Sequence, residues 1–282
     1  MTEGPEPSAP SEAATAESLP ATAEALPATA ESLSLPSSPP ALTVNVVTIF
    51  PEFFSAPLGL SIPARARDAG LVRYRVVDLR DFTHDRHRTV DDYPYGGGAG
   101  MVMKPDVLSD AIAAASPRSE GADVPRLLMS PRGAPFSQAR ARELARGPGV
   151  LLVCGRFEGV DERVIEAHAL EEVSVGDFVL SGGEIAAMAV IDSCVRLLPG
   201  VMGAAQSGDE ESFEDGLLEY PHYTRPASWT GPDGIERRVP EILVSGHHGK
   251  VAEWRRKQRE EITRIRRPDL WARRTAKRDE EK

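Results

Sequence analysis

From residue 42 onward the chain alternates short β-branched runs with stretches of helical periodicity, and this alternation constrains the fold more than any other feature. "LTVNVVTIF" reads as a buried strand, after which Pro51 stands where a helix takes its first residue. "RYRVVDL" reads as a strand, "PDVLSDAIAAAS" as a helix, "RLLMS" as a short strand, and "SQARARELARG" as a helix closed by Gly147. "GVLLVCG", "DERVIEAHA", "EEVSVGDFVL" and "GEIAAMAVIDSCVRLLPG" continue the series as strand, helix, strand and helix. The expected fold is α/β with a mostly parallel sheet.

The flanking regions read differently. Residues 1–41 are built from Ala, Pro, Ser, Thr and Glu with a loose repeat, "SLPATAEALPATAESLSLP", and hold no aromatic residue. Such a segment cannot bury enough surface to offset its ordering entropy, so a disordered acidic extension is expected. Residues 42–203 form the α/β domain. Residues 204–220, around "GAAQSGDEESFEDG", lack a hydrophobic period and read as a flexible linker. In residues 221–282, "PHYTRPASWTGPDG" reads as irregular, and "GKVAEWRRKQREEITRIRRPDLWARRTAKRDEE" as two basic helices broken at Pro268, a small helical domain.

Bulk properties narrow the class. At 41% apolar, 282 residues suffice for one substantial core and a smaller second unit. No apolar run approaches the roughly 20 residues of a membrane span, and no basic region precedes an apolar N-terminal core, so a cytoplasmic protein is expected. Cys154 and Cys194 sit in apolar stretches without metal-type spacing and read as reduced core residues; no metal site is expected. The net charge of −10 is uneven, because six Glu and no Lys or Arg lie in residues 1–41, whereas the stretch from Lys250 onward is net basic.

Ligands in open α/β sheets bind beyond the carboxyl ends of the strands. Three glycine-bearing turns fall there: "SPRGAP", "CGRFEGVDER" and "VGDFVLSGGE". None has the dinucleotide or P-loop spacing. Backbone-rich turns without cations suit a neutral, flat, hydrogen-bonding ligand such as an adenosine, although glycine turns without any ligand are commoner. The segment "DLRDFTHDRHRTVDDYPYGGGAGMVMKP" is more distinctive. It places Arg80, His84, Arg86, His87 and Arg88 among Asp81, Asp85, Asp91 and Asp92, followed by Tyr93, Tyr95 and a triple glycine. Arginine forks onto phosphates and base edges while aromatic rings stack unpaired bases, a combination suited to RNA.

"FPEFF", "RDFTHDRHRTVDDYPYGGGAGMVM", "CGRFEGVDERV", "VGDFVLSGGE", "IDSCVRLLPGV" and "PHYTRP" together resemble the bacterial tRNA (guanine-N1)-methyltransferases of the TrmD family, over roughly residues 43 to 275. The resemblance implies a SPOUT methyltransferase domain with a deep trefoil knot, a homodimer with composite active sites, S-adenosylmethionine as methyl donor, and tRNA as partner, methylated on N1 of guanosine 37. It places the donor near Met129, Ser130, Pro131, Gly133, Gly155, Phe157, Glu158, Gly159, Ser174, Val175, Gly176, Phe178, Leu180, Gly182 and Gly183. It assigns tRNA contact to the "DFTHDRHRTVDDY" region, with His84, Arg86, His87, Arg88, Asp91 and Tyr95, and to basic residues of the C-terminal helices. It also implies Mg2+, for which the sequence offers no ligand cluster.

The chemistry needs two further groups. N1 of guanine carries a proton at neutral pH, so a base must remove it while charge builds on O6. The resemblance assigns Arg196 to O6. For the base the family has Asp directly before Ser-Phe, whereas this chain has Glu211, in "GDEESFEDG", with Asp209 as the alternative after a shift in register. Two other readings stay open at this stage: a related knotted methyltransferase with another acceptor, and an RNA-binding assembly factor with a vestigial donor site.

Overall fold

The computed structural model describes residues 40–116, 124–202 and 212–280. Nearly all of the acidic extension and the centre of the linker, with Asp209 and Glu211, lie outside the described residues. In chain order, β1 (Leu42–Thr48) leads through a 3-10 turn that begins at Pro51 into α1 (Ser55–Leu58), α2 (Ser61–Asp68) and β2 (Val72–Asp78). The short strands β3 (Asp91–Asp92) and β4 (Val102–Met103) form an antiparallel ribbon ahead of α3 (Pro105–Ala115). There follow β5 (Arg126–Pro135), α4 (Gln138–Arg146), β6 (Gly149–Cys154), α5 (Glu162–Ala167), β7 (Glu171–Ser174) and α6 (Glu184–Val195). Beyond the linker come β8 (Ser228–Thr230), β9 (Glu236–Arg238), α7 (Glu241–Val244), α8 (His248–Arg266) and α9 (Pro268–Glu280).

Five parallel strands form the central sheet in the order β2-β1-β6-β5-β7. The parallel α/β expectation therefore holds. Two of the three inner strands, β1 and β6, are buried almost throughout, which explains why they read as continuous apolar runs rather than alternating ones. Leu42, Val44 and Val46 of β1, with Val150 and Leu152 of β6, face a core shared with α2, α4 and α6. Val47, Leu151 and Val153 point to the opposite face, against Leu108 and Ile112 of α3 and Val164 of α5. Each fully buried aliphatic side chain of this kind contributes on the order of 1.5–3 kcal/mol. The two cysteines are buried free thiols; burial pushes Cys154 well up and Cys194 up to about 12, so both remain protonated.

Three local expectations change. "SPRGAP" is no simple turn, because β5 bulges out after Met129 and returns at Ala134, both residues pairing with Val173 of β7. Gly133 permits the return, since a Cβ there would fall on the Val173 amide and the Glu172 carbonyl. The strand read in "EEVSVGDFVL" stops at Ser174, whose hydroxyl bonds with both the amide (3.2 Å) and the carbonyl (3.0 Å) of Gly176 and so turns the chain out of the sheet. The stretch read as irregular at "ASWTGPDG" contains β8, which pairs with β9 across a turn ending in Gly234, at φ +74. The break at Pro268 falls as expected, with proline opening α9.

Candidate active site

The carboxyl ends of β5, β6 and β7 lie side by side, and their loops enclose a cleft of about 340 Å³. Met129, Ser130 and Pro131 line it from the β5 bulge, and Gly155, Phe157, Glu158 and Gly159 from the loop after β6. Ser174, Val175, Gly176, Phe178, Leu180, Gly182 and Gly183 line it from the long loop between β7 and α6. Of the residues assigned to the donor, Gly133 alone stands apart from the lining; its part is to let β5 close onto β7.

Glycine is required at position 183. The Gly183 amide donates to the Gly155 carbonyl at 2.9 Å, and a Cβ on Gly183 would sit 2.8 Å from Cys154 Cα and 2.9 Å from Met129 Cβ. The three loops thus pack closely together here, and main-chain groups form much of the lining. Phe157 projects at the cleft half-exposed with φ +60, a conformation that is strained for an aromatic residue and persists only where its surroundings enforce it.

Two ion-pair networks brace this cleft, and neither is legible from local sequence. On one side, Arg156 donates from Nε to both carboxylate oxygens of Glu184 at 3.0 and 3.2 Å, and its Nη2 lies 2.8 Å from Oε2. Glu184, only 1% exposed, also accepts from Thr48 Oγ1 at 2.8 Å. On the opposite rim, Arg132 bridges Glu172 and Glu162 at 3.0 Å each, and Ser130 donates to Glu172 at 2.8 Å. Burial works against the charge of Glu172, but the hydrogen bonds from Arg132 and Ser130 outweigh it and hold the carboxyl below its usual range.

The charged segment stands beside the same cleft. The Met103 amide donates to the Gly159 carbonyl (3.0 Å) and the Glu158 amide to the Met101 carbonyl (2.8 Å), fixing the β3-β4 ribbon to the loop after β6. Asp91 lies in that ribbon, and Tyr95, 98% exposed, leads into Gly96, Gly97 and Gly98, all at positive φ. Arg88 pairs with Asp81 at 2.6 Å, and His84 lies 3.6 Å from Asp110 of α3. His87 donates its amide to Asp85 (2.8 Å), while Arg86 is exposed. Hydrogen bonds led by the Thr89 amide hold the Asp85 carboxyl below its usual range, so it stays charged and keeps this loop wound.

Arg196 caps the far end of α6, partly exposed and outside the cleft lining. The helix between it and Gly183 is about 20 Å long. In α8, Arg255 stacks on Tyr220 at 4.7 Å, Arg256 and Lys257 form i,i+4 pairs with Glu260 and Glu253, and Arg264 and Arg266 are exposed. Among the described residues no group of three or more His, Cys, Asp or Glu side chains converges in a way that could hold a metal ion, and no helix is long and apolar enough to cross a membrane.

A parallel α/β sheet thus carries, over three adjacent strand ends, a glycine-rich cleft braced by Arg132 and Arg156, with an Arg/Tyr/Gly segment anchored to its wall. Residues 42–273 match the family described as tRNA (Guanine-1)-methyltransferase TrmD. A protein named tRNA (guanine-N(1)-)-methyltransferase from Sphingopyxis alaskensis is 57% identical over 233 residues, 83% of this chain and 92% of the relative. Relatives of the same name from Mesorhizobium japonicum (over 226 residues, 80% and 94%) and Rhodopseudomonas palustris (over 232 residues, 82% and 90%) are each 60% identical. The chain belongs to the TrmD family.

Proposed function

We propose that this protein transfers the methyl group of S-adenosylmethionine to N1 of guanosine 37 in tRNA. The observation that carries this reading is the family match over residues 42–273, together with a cleft whose make-up suits the donor. A cleft of about 340 Å³ falls within the ~300–1,000 Å³ of small-molecule sites. The close backbone approach at Gly155 and Gly183 fits a flat purine held by main-chain groups. When bound, S-adenosylmethionine supplies an electrophilic sulfonium methyl group.

The chain's own residues have three tasks. The loops after β5, β6 and β7 fix the donor's orientation, which lowers the entropic part of the barrier. Glu211 takes the N1 proton of the guanine, the residue this chain offers where the family pattern has Asp; base catalysis of this kind contributes about 10²–10⁴-fold. Arg196 stabilises the charge that develops on O6, as an oxyanion-hole donor does. The length of α6 separates Arg196 from the cleft of its own chain, which favours a homodimer in which one copy binds the donor and the other brings the base and arginine. The described residues offer no fit for magnesium, and no step is routed through it.

The finer fold reading belongs here too. A trefoil passage of the chain through the loops around β5 and β6 is supported by the packing of Gly183 onto Cys154 and Met129. The segment ending at Tyr95 and the basic residues of α8 and α9 form the tRNA-gripping surfaces, with residues 221–282 as a helical tRNA-binding domain tethered by residues 204–220. A cytoplasmic location fits such a substrate. The open, braced cleft and the relatives' shared name both speak against a vestigial donor site or another acceptor.

The test is methyl transfer to an unmodified tRNA transcript carrying guanosines at positions 36 and 37. Methylation at N1 of guanosine 37 is expected, and full activity after replacing that guanosine by adenosine overturns the assignment.

A further inference from the structure

Arg156 touches both long walls of the cleft. Its backbone belongs to the loop after β6, one residue before Phe157, while its guanidinium reaches the loop before α6. There Nη1 donates to the Ser181 carbonyl at 3.0 Å, and the group lies so close over Gly182 that a Cβ would fall on Nε. Beneath it, Glu184 accepts from Nε and Nη2 and is held in turn by Thr48, whose hydroxyl also accepts from the Phe50 amide at 3.0 Å. The Phe50 ring covers the guanidinium at 4.5 Å. One arginine therefore ties the β6 loop to the β7-α6 loop, and a carboxylate 1% exposed fixes where that arginine points.

The burial is informative because a buried ion pair is a poor device for stability alone; an apolar pair of the same volume serves as well or better. What the pair supplies is a direction. The turn at residues 156–159 carries the strained Phe157, closed by Gly159 N to Arg156 O at 3.1 Å and held beyond it by Glu158 N to Met101 O at 2.8 Å. The turn is held also by the Met103 amide on the Gly159 carbonyl at 3.0 Å, by the Arg156 amide on Met103 Sδ at 3.3 Å, and by the Arg156 side chain, which alone of these reaches the β7-α6 loop.

We propose that Glu184 is a positioning residue for the donor cleft, holding Phe157 and the Gly182–Gly183 backbone at their working separation through Arg156. This rests on the reading of the cleft as the donor site. With the tie cut, the two loops separate and the Phe157 turn relaxes, so the ligand itself must order them on binding. Donor affinity then falls while the sheet, whose ladder hydrogen bonds the tie does not supply and which it meets only at Thr48, the last residue of β1, keeps its stability.

The probe is sinefungin, titrated calorimetrically into the full-length protein, with amide hydrogen exchange followed in residues 155–160 and 176–183. Glu184→Gln is expected to weaken sinefungin about tenfold or more, to speed exchange in those two loops and to leave exchange in β1 and β6 unchanged. Thr48→Val, which keeps the ion pair, should produce a smaller loss. If Glu184→Gln does not fold, the double variant Arg156→Gln/Glu184→Gln removes both charges and decides the matter, with the same loss of affinity expected. Wild-type affinity in a folded Glu184→Gln or double variant overturns the positioning role. So does a loss accompanied by faster exchange across the whole sheet. Absence of sinefungin binding to the wild type overturns the donor-site reading beneath it.

Discussion

The backbone amide of Glu158 donates to the carbonyl of Met101 at 2.8 Å, joining the exposed glycine-rich segment to the wall of the cleft. The cleft and the Arg/Tyr/Gly segment are thus joined directly, although more than fifty residues separate Met101 from Glu158 in the sequence. Gly100 lies over the exposed Glu158 side chain and has φ +86, so a side chain here would have to displace Glu158 and hold a backbone conformation unfavourable for an L-residue.

Gly100→Ala should therefore disturb both halves of the site. Its methyl group falls on the Glu158 carboxylate in a backbone conformation that costs about 1–2 kcal/mol for an L-residue. Sinefungin affinity and kcat/KM for tRNA are both expected to drop. Gly97→Ala, at φ +77 with open space around it, carries only the conformational cost and should leave sinefungin affinity intact. Titration of the two variants side by side checks this, and equal effects refute the junction.

At the position proposed for the base, the chain carries Glu211 where the family resemblance places Asp. Glu211→Gln is expected to slow single-turnover methyl transfer about 10²-fold or more with donor binding unchanged. If Asp209→Asn has that effect instead, the register of the linker is shifted and Asp209 is the base.

A composite site makes a sharp prediction for mixed dimers. Arg196→Ala and Gly183→Val should each be inactive alone, the first lacking the O6 donor and the second its cleft. Random mixing places one intact cleft opposite one intact arginine in half of the dimers, recovering about a quarter of wild-type activity. No recovery after confirmed subunit exchange means that each chain uses its own arginine.

His168 links acid sensitivity to the α3-α5 contact. Its Nε2 lies 2.8 Å from Ser109 Oγ, and burial, followed by the Arg126 charge, lowers its pKa from the ordinary 6.5. The unfolded chain therefore takes up the proton first as pH falls, so a loss of stability sets in below about pH 6.5 and is complete once the folded protein is protonated as well. The fall in Tm between pH 7.5 and pH 5 should be smaller in His168→Gln than in the wild type. An equal fall in both excludes the link.

Much of the framework was legible in the residues. The buried runs at β1 and β6, the proline-opened turn at Pro51, the Gly147 stop and the break at Pro268 are local signals, set by side-chain period or by one residue's φ. The glycine turns were visible too, and the structure brings them to one cleft, but their occupant was supplied by the family resemblance; glycine spacing alone named no ligand. The β8-β9 hairpin was missed because its strands are three residues long and exposed, so they carry no apolar alternation.

Local sequence determined where the strands of the central sheet run, which of them are buried on both faces and where the chain can turn, because those depend on neighbours a few residues apart. Only the tertiary structure decided that Arg156 meets Glu184, that Arg132 meets Glu172 and that Glu158 meets Met101. These partners are set by the strand order β2-β1-β6-β5-β7, which places the ends of β5, β6 and β7 together whatever their distance along the chain. A charged residue's type records that it needs a partner; the sheet topology determines which one it finds.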